Sequence, residues 1–66
     1  MAGTTKVQVK TEKYEIGHGK RPRGVGYWAF RIGEHYYVFY GSYGEAKARA
    51  VALAINQGEG IIEVLP

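Results

Sequence analysis

Residues 27–40, YWAFRIGEHYYVFY, decide the fold of this chain. Two runs, YWAFRI over 27–32 and HYYVFY over 35–40, are rich in the aromatic and β-branched side chains that fit a pleated surface. Gly33 and Glu34 separate them. A Gly-X pair suits a two-residue type II′ hairpin, whose first central position needs a positive φ. A turn of that length sets the register: Ile32 opposite His35, Arg31 opposite Tyr36, Phe30 opposite Tyr37, Ala29 opposite Val38 and Trp28 opposite Phe39. Side chains alternate across a strand. Trp28, Phe30, Ile32, Tyr37 and Phe39 therefore share one face, and Tyr27, Ala29, Arg31, Tyr36, Val38 and Tyr40 share the other. The first set is the more apolar and is expected to face the core. The second is left to solvent or to a partner.

Beyond the hairpin, Ser42-Tyr43-Gly44-Glu45 has the form of a capping box, with Ser42 as N-cap and Glu45 at the third helical position. The run EAKARAVALAI that follows is built from strong helix formers, and Gly58 supplies a left-handed stop. A helix is thus predicted over 43–57. Ala46, Ala50, Leu53 and Ala54 fall on one stripe, with Val51 and Ile55 beside it, while Arg49, Ala52 and Asn56 point outward. Small alanines let such a helix approach a sheet that carries Trp and Phe. After Gly58-Glu59-Gly60, residues 61–65, IIEVL, can add a short last strand that pairs with residues 5–10.

On the N-terminal side, residues 5–16 read as extended. Val7 and Val9 alternate with Lys6, Gln8 and Lys10, and Tyr14 and Ile16 continue on the other parity, which implies a bulge or break between 10 and 14. Residues 17–26, GHGKRPRGVG, read as a loop, because its glycines and Pro22 do not suit a central strand. The expected architecture is α+β: a three-stranded antiparallel sheet packed on one helix, with a short C-terminal strand, in the order β-β-β-α-β. Residues 1–66 are read as a single small domain.

A chain of 66 residues buries only roughly 60% of its unfolded surface, which leaves little depth for a catalytic pocket. It has no cysteine, so disulfides and thiolate metal sites are excluded, and a reducing, cytoplasmic setting is expected. No apolar run approaches the roughly 20 residues of a membrane span, and Met1–Lys10 lacks the apolar segment of a secretory signal, so no membrane partner is expected. His18 and His35 lie in different segments, away from any carboxylate cluster. Ser42 is the only serine, and there is no aspartate with which to build a Ser-His-Asp arrangement. The glycines at 17, 19, 24 and 26 match neither GxxxxGK[ST] nor a GxGxxG that opens a helix. The sequence predicts no enzyme activity, no cofactor and no metal.

Charge placement points elsewhere. The net charge is +3, but residues 1–31 set Lys6, Lys10, Lys13, Lys20, Arg21, Arg23 and Arg31 against Glu12 and Glu15, for +5. Residues 32–66 set Lys47 and Arg49 against Glu34, Glu45, Glu59 and Glu63, for −2. A first half of that sign suits a polyanion. Lys20, Arg21 and Arg23 crowd into one glycine-rich loop, a fitting basic finger for a phosphate backbone. Tyr27, Tyr36 and Tyr40, with Arg31 among them, offer contact area and hydrogen bonds at low entropy cost. The expected partner is nucleic acid, with Lys20, Arg21 and Arg23 of the loop on phosphates; the face of Tyr27, Arg31, Tyr36 and Tyr40 suits nucleic acid and protein alike. An alternative is a small protein-interaction or inhibitor module, a phage- or plasmid-type regulator, that uses the tyrosine face on a protein partner. A third is a homo-oligomer joined along a strand edge.

GYWAFRI, YVFYGSY and EAKARAVALA resemble the plant ethylene-response-factor type DNA-binding domain. The matching positions are Gly26, Trp28, Ala29, Ile32, Gly41, Ser42, Tyr43, Glu45 and Ala46, and the likeness covers residues 20–55. The arm-binding domains of phage integrases share the layout of three strands and one helix. The resemblance implies a sheet that lies in the DNA major groove, with Arg21, Arg23, Tyr27, Arg31 and Tyr36 as contact positions. It thereby favours duplex DNA over RNA. Strand arginines, dense in that family, are reduced here to Arg31.

Overall fold

A computed structural model describes residues 7–66, and the extended reading of residues 5 and 6 lies outside them. In chain order the elements are β1 (Gln8–Lys10), α1 (Glu12–His18), β2 (Val25–Ile32), β3 (His35–Ser42), α2 (Tyr43–Gln57) and β4 (Ile61–Val64). The class is α+β, but among the described residues the sheet is four-stranded and mixed and there are two helices, instead of three antiparallel strands on one helix with a short C-terminal strand. The strand order is β1-β4-β2-β3. β4 and β3 both pair antiparallel with β2, and β1 pairs parallel with β4. β3 and β4 therefore run parallel with β2 between them, and α2 crosses over β2 to join them, a split β-α-β unit.

The β2–β3 hairpin has the register that its turn dictates, from Ile32 opposite His35 through Trp28 opposite Phe39. Gly33 sits at φ 62 and no described non-glycine residue, Glu34 included, has positive φ, the signs of a type II′ turn. Both strands run further than 27–32 and 35–40: Tyr27 pairs with Tyr40, Gly26 with Gly41 and Val25 with Ser42. Gly26 thus lies inside a central strand, where it meets another glycine.

Trp28, Phe30 and Ile32 are buried beneath α2, and Tyr37 and Phe39 are half-buried around them. Ser42 caps α2: its hydroxyl accepts from the Glu45 N–H at 3.2 Å, while the Glu45 carboxylate accepts from the Ser42 N–H at 3.4 Å. Gly58, at φ 75, closes the helix. Ala46, Ala50 and Ala54 are fully buried, so the stripe against the sheet is alanine alone. Leu53, expected on that stripe, is only partly buried at its side, and Ile55 is 47% exposed. Tyr43 lies between Trp28, at 5.1 Å, and Phe30, at 6.5 Å between ring centroids. Burial there raises its phenol pKa above the usual value.

β4 was expected to pair with residues 5–10. It does pair with β1, Gln8 opposite Ile61 and Lys10 opposite Glu63, but it also pairs with β2, Phe30 opposite Val64 and Ile32 opposite Ile62. Ile62 and Val64 are fully buried, so this short segment is interior and not an edge.

Residues 12–16 are helical, contrary to the extended reading. In a helix Tyr14 and Ile16 point in different directions, and the two have opposite fates: Tyr14 is buried and Ile16 is 85% exposed. Tyr14 packs on Trp28 at 5.4 Å and stacks with His18, one turn on, at 4.1 Å. Thr11 donates through its hydroxyl to Glu15 at 2.6 Å, and Gly19 ends the helix at φ 71. An isolated helix of this length is marginal in water. Docking of Tyr14 on Trp28 is what selects it over a strand.

Candidate nucleic-acid interface

With α1 ending at His18 and β2 starting at Val25, the basic loop is shorter than 17–26. It is also pinned. The Gly24 carbonyl accepts from the Tyr43 N–H at 2.9 Å and from the Trp28 indole N–H at 3.2 Å. Gly24 itself is at φ 95, where a side chain would be strained. Pro22 is buried, while Lys20, Arg21 and Arg23 on either side of it are exposed. The proline acts as a peg, and the cations project around it.

Arg23 lies at the edge of the sheet beside the start of β2. Together with Tyr14, His18, Tyr27, Ala29 and Leu65 it lines a groove of about 360 Å³ between α1, the start of β2 and the C-terminal residues. Tyr27 is 78% exposed and Tyr40, its cross-strand neighbour, 64%; their rings meet edge to face at 4.9 Å. No described element covers this part of the sheet.

Arg31 and Tyr36 form a second cross-strand pair on the same face. They stand about 13 Å along the strand from Tyr27, at about 3.3 Å per residue. Arg31 is not a free cation. Its Nη1 lies 3.4 Å from the Glu63 carboxylate, and its Nε donates to the Gly33 carbonyl at 3.2 Å. Lys13 lies 3.5 Å from the same Glu63 oxygen, and Lys10 pairs with Glu63 in the β1–β4 register. Glu63 is therefore shared by Arg31 and Lys13, in a group of charges whose balance remains positive. These ion pairs are solvent-accessible and individually worth little to stability.

Four of the expected contact residues thus divide into two groups. Arg23 and Tyr27 lie together by the loop, and Arg31 and Tyr36 lie by the hairpin turn. Lys20 and Arg21 are exposed residues of the same loop as Arg23. Sequence reasoning missed Lys13 and Glu63, which flank Arg31. Lys13 approaches only because residues 12–18 are helical, and Glu63 only because β4 is interior. Tyr40 follows from the hairpin register alone.

Among the described residues no group of His and Glu side chains is arranged to hold a metal ion. Among the described residues no helix is long and apolar enough to cross a membrane. No family model, no curated protein and no solved structure matches the chain.

Proposed function

We propose that this chain is a nucleic-acid-binding module, with duplex DNA as its ligand, that uses the open sheet face and the 19–24 loop. The observation that carries the reading is the uncovered face itself. Tyr27, Tyr36 and Tyr40 are largely exposed there, Arg31 lies among them, and Arg23 enters from the loop beside Tyr27. Cations pinned by Pro22 and Gly24 lose little freedom on meeting a phosphate, because the fold has already ordered the backbone that bears them. Exposed tyrosines give packing area against sugars and hydroxyls for phosphate oxygens. In this reading Lys20, Arg21 and Arg23 neutralise phosphates, Tyr27 and Tyr36 pack, and Arg31 exchanges Glu63 for a base edge or a phosphate.

The test is a titration with duplex DNA, duplex RNA and single strands at two salt concentrations, with backbone amide shifts followed residue by residue. Duplex DNA at low salt is expected to move residues 20–24, 27, 31 and 36. Neutralising one loop cation, as in Arg21→Gln, is expected to weaken binding to every sequence alike and to reduce the salt slope by about 1. Tyr36→Ala is expected to weaken binding with the slope unchanged. Shifts that stay still with every nucleic acid at low salt would sink the reading. A larger response to single strands than to duplex would retain the face and replace the ligand.

A second reading, a protein-interaction module, is favoured by one further observation. Val25 and Val38 are 72% and 62% exposed on the same face as the tyrosines. Contact of that kind depends little on salt, which separates the two.

A further inference from the structure

β3 forms one edge of the sheet, and among the described residues nothing pairs with its outer side. Such a row of free N–H and C=O groups is a template for another strand, and proteins usually guard it with Lys, Pro, a bulge or brevity. β3 has none of these guards. It runs from His35 to Ser42, as HYYVFYGS, without a lysine, arginine, carboxylate or proline. The opposite edge, β1, spans only Gln8–Lys10 and ends in a lysine.

The register shows which groups are free. In a two-residue hairpin the residues that flank the turn, Ile32 and His35, form a hydrogen-bonded pair, and the pattern alternates from there. Tyr37 and Phe39 are then bonded to β2, while Tyr36, Val38 and Tyr40 direct their N–H and C=O outward. Two observations agree with this parity. The Ala29 carbonyl, opposite Val38, turns away from β3 to accept from the Leu65 N–H at 2.9 Å, and the Ser42 N–H meets the Glu45 carboxylate rather than β2.

The geometry points to a second copy of this chain as the occupant: two β3 strands pair antiparallel about a twofold axis at Val38 and join two sheets into one. A twofold interface must be self-complementary. Residues 36–40, YYVFY, meet that condition around Val38. In this register Val38 pairs with Val38 of the second copy, and Tyr36 with Tyr40. These are the residues with free backbone groups, so every outward N–H and C=O from 36 to 40 gains a partner. On the helix side Tyr37 lies opposite Phe39 of the second copy. There the edge is apolar as well: a groove of about 580 Å³ between α2 and β3 is lined by Phe39, Leu53, Ala52 and Ile55 with Arg49 and Asn56. That groove explains why Leu53 and Ile55 are left half-covered within one chain. The inference goes beyond the nucleic-acid reading and does not rest on it.

The experiment is sedimentation equilibrium of the full chain, free of nucleic acid, from about 1 μM to 1 mM, the range of modest interface affinities, with amide hydrogen exchange on the same samples. A mass of twice the chain is expected, with slow exchange at Tyr36, Val38 and Tyr40, whose amides have no partner among the described residues of one chain. Val38→Pro removes the central outward N–H and spares the bonds to β2; Val38→Lys leaves the backbone intact and sets like charges face to face on the axis. Each is expected to raise the dissociation constant tenfold or more. If Val38→Pro fails to fold, Val38→Lys decides. A wild-type monomer across the range, or fast exchange at 36, 38 and 40 in a dimer, overturns the inference. So does a folded Val38→Lys protein that dimerises as tightly as wild type.

Discussion

The two faces of the β2–β3 hairpin are made by the same strands and the same class of side chain, yet their fates are opposite. Trp28 and Phe30 are 6% and 0% exposed; Tyr27 and Tyr36, their immediate or near neighbours in sequence, are 78% and 67% exposed. Aromatic content does not separate them. What separates them is the alanine stripe of α2, which brings a helix against one face only. The comparison teaches that an aromatic strand on its own marks a sheet; the helix beside it marks the core. An aromatic residue that no helix reaches is left for some other contact.

The sharpest way to break the comparison is to remove one aromatic from each face. Trp28→Ala is expected to cost about 3–5 kcal/mol, as buried aromatic truncations do. Against a typical margin of about 5 kcal/mol the variant would be largely unfolded at room temperature, which urea denaturation would read directly. The loss also includes the indole bond to Gly24, so the basic loop should loosen with the core. A cooperative, nearly wild-type transition would mean that Tyr14 and Tyr43 close over the gap.

Tyr14→Ala sharpens the same comparison at the periphery of the core. Tyr14 is the one buried residue of α1, so α1 should detach without the sheet. Amides of 12–18 should then exchange rapidly while those of β2 and α2 remain protected, the signature of local opening. Loss of protection across the whole chain would instead make α1 part of one cooperative unit.

A smaller effect is expected at the helix cap. Ser42→Ala should cost about 1 kcal/mol by removing the hydroxyl that accepts the Glu45 N–H. The midpoint of a denaturation curve would show it with the slope unchanged. If Glu45→Gln, which can still bond the Ser42 N–H, costs as much as Ser42→Ala, charge at the helix start matters more than the bond.

The smallest effect belongs to the open face. Tyr40→Ala removes one edge-to-face contact with Tyr27 and little burial, so it should cost under about 1 kcal/mol. Thermal melts of dilute protein would measure it. A cost comparable to that of Trp28→Ala would show that this face is covered in solution and would transfer the argument from nucleic acid to a partner chain.

The sequence carried a good deal of this. Gly33-Glu34 gave the turn, the turn gave the register, and alternation gave both faces without any tertiary information. Ser42, Glu45 and Gly58 delimited α2 for equally local reasons: each satisfies backbone groups at a helix end. The placement of the candidate site's residues was legible to the same extent. Tyr27, Tyr36 and Arg31 lie on one face because of the hairpin alone, and Lys20, Arg21 and Arg23 are exposed because Pro22 takes the buried place between them.

Local pattern failed wherever a segment was too short to choose for itself. Residues 12–18 include Gly17 and only one buried side chain, so neither strand nor helix periodicity could establish itself; contact between Tyr14 and Trp28 made the choice. Ile61–Val64 reads equally well as an edge or an interior strand, because a run of apolar residues records burial and not neighbours. Its place between β1 and β2 was decided by α2, which carries the chain across β2 and returns it on the far side of the sheet from β3. That crossover set Glu63 against Arg31, and among the described residues it left β3 without a neighbour on its outer side. Chain direction and strand order are global quantities: they depend on where a helix delivers the chain, and no window of residues contains that information.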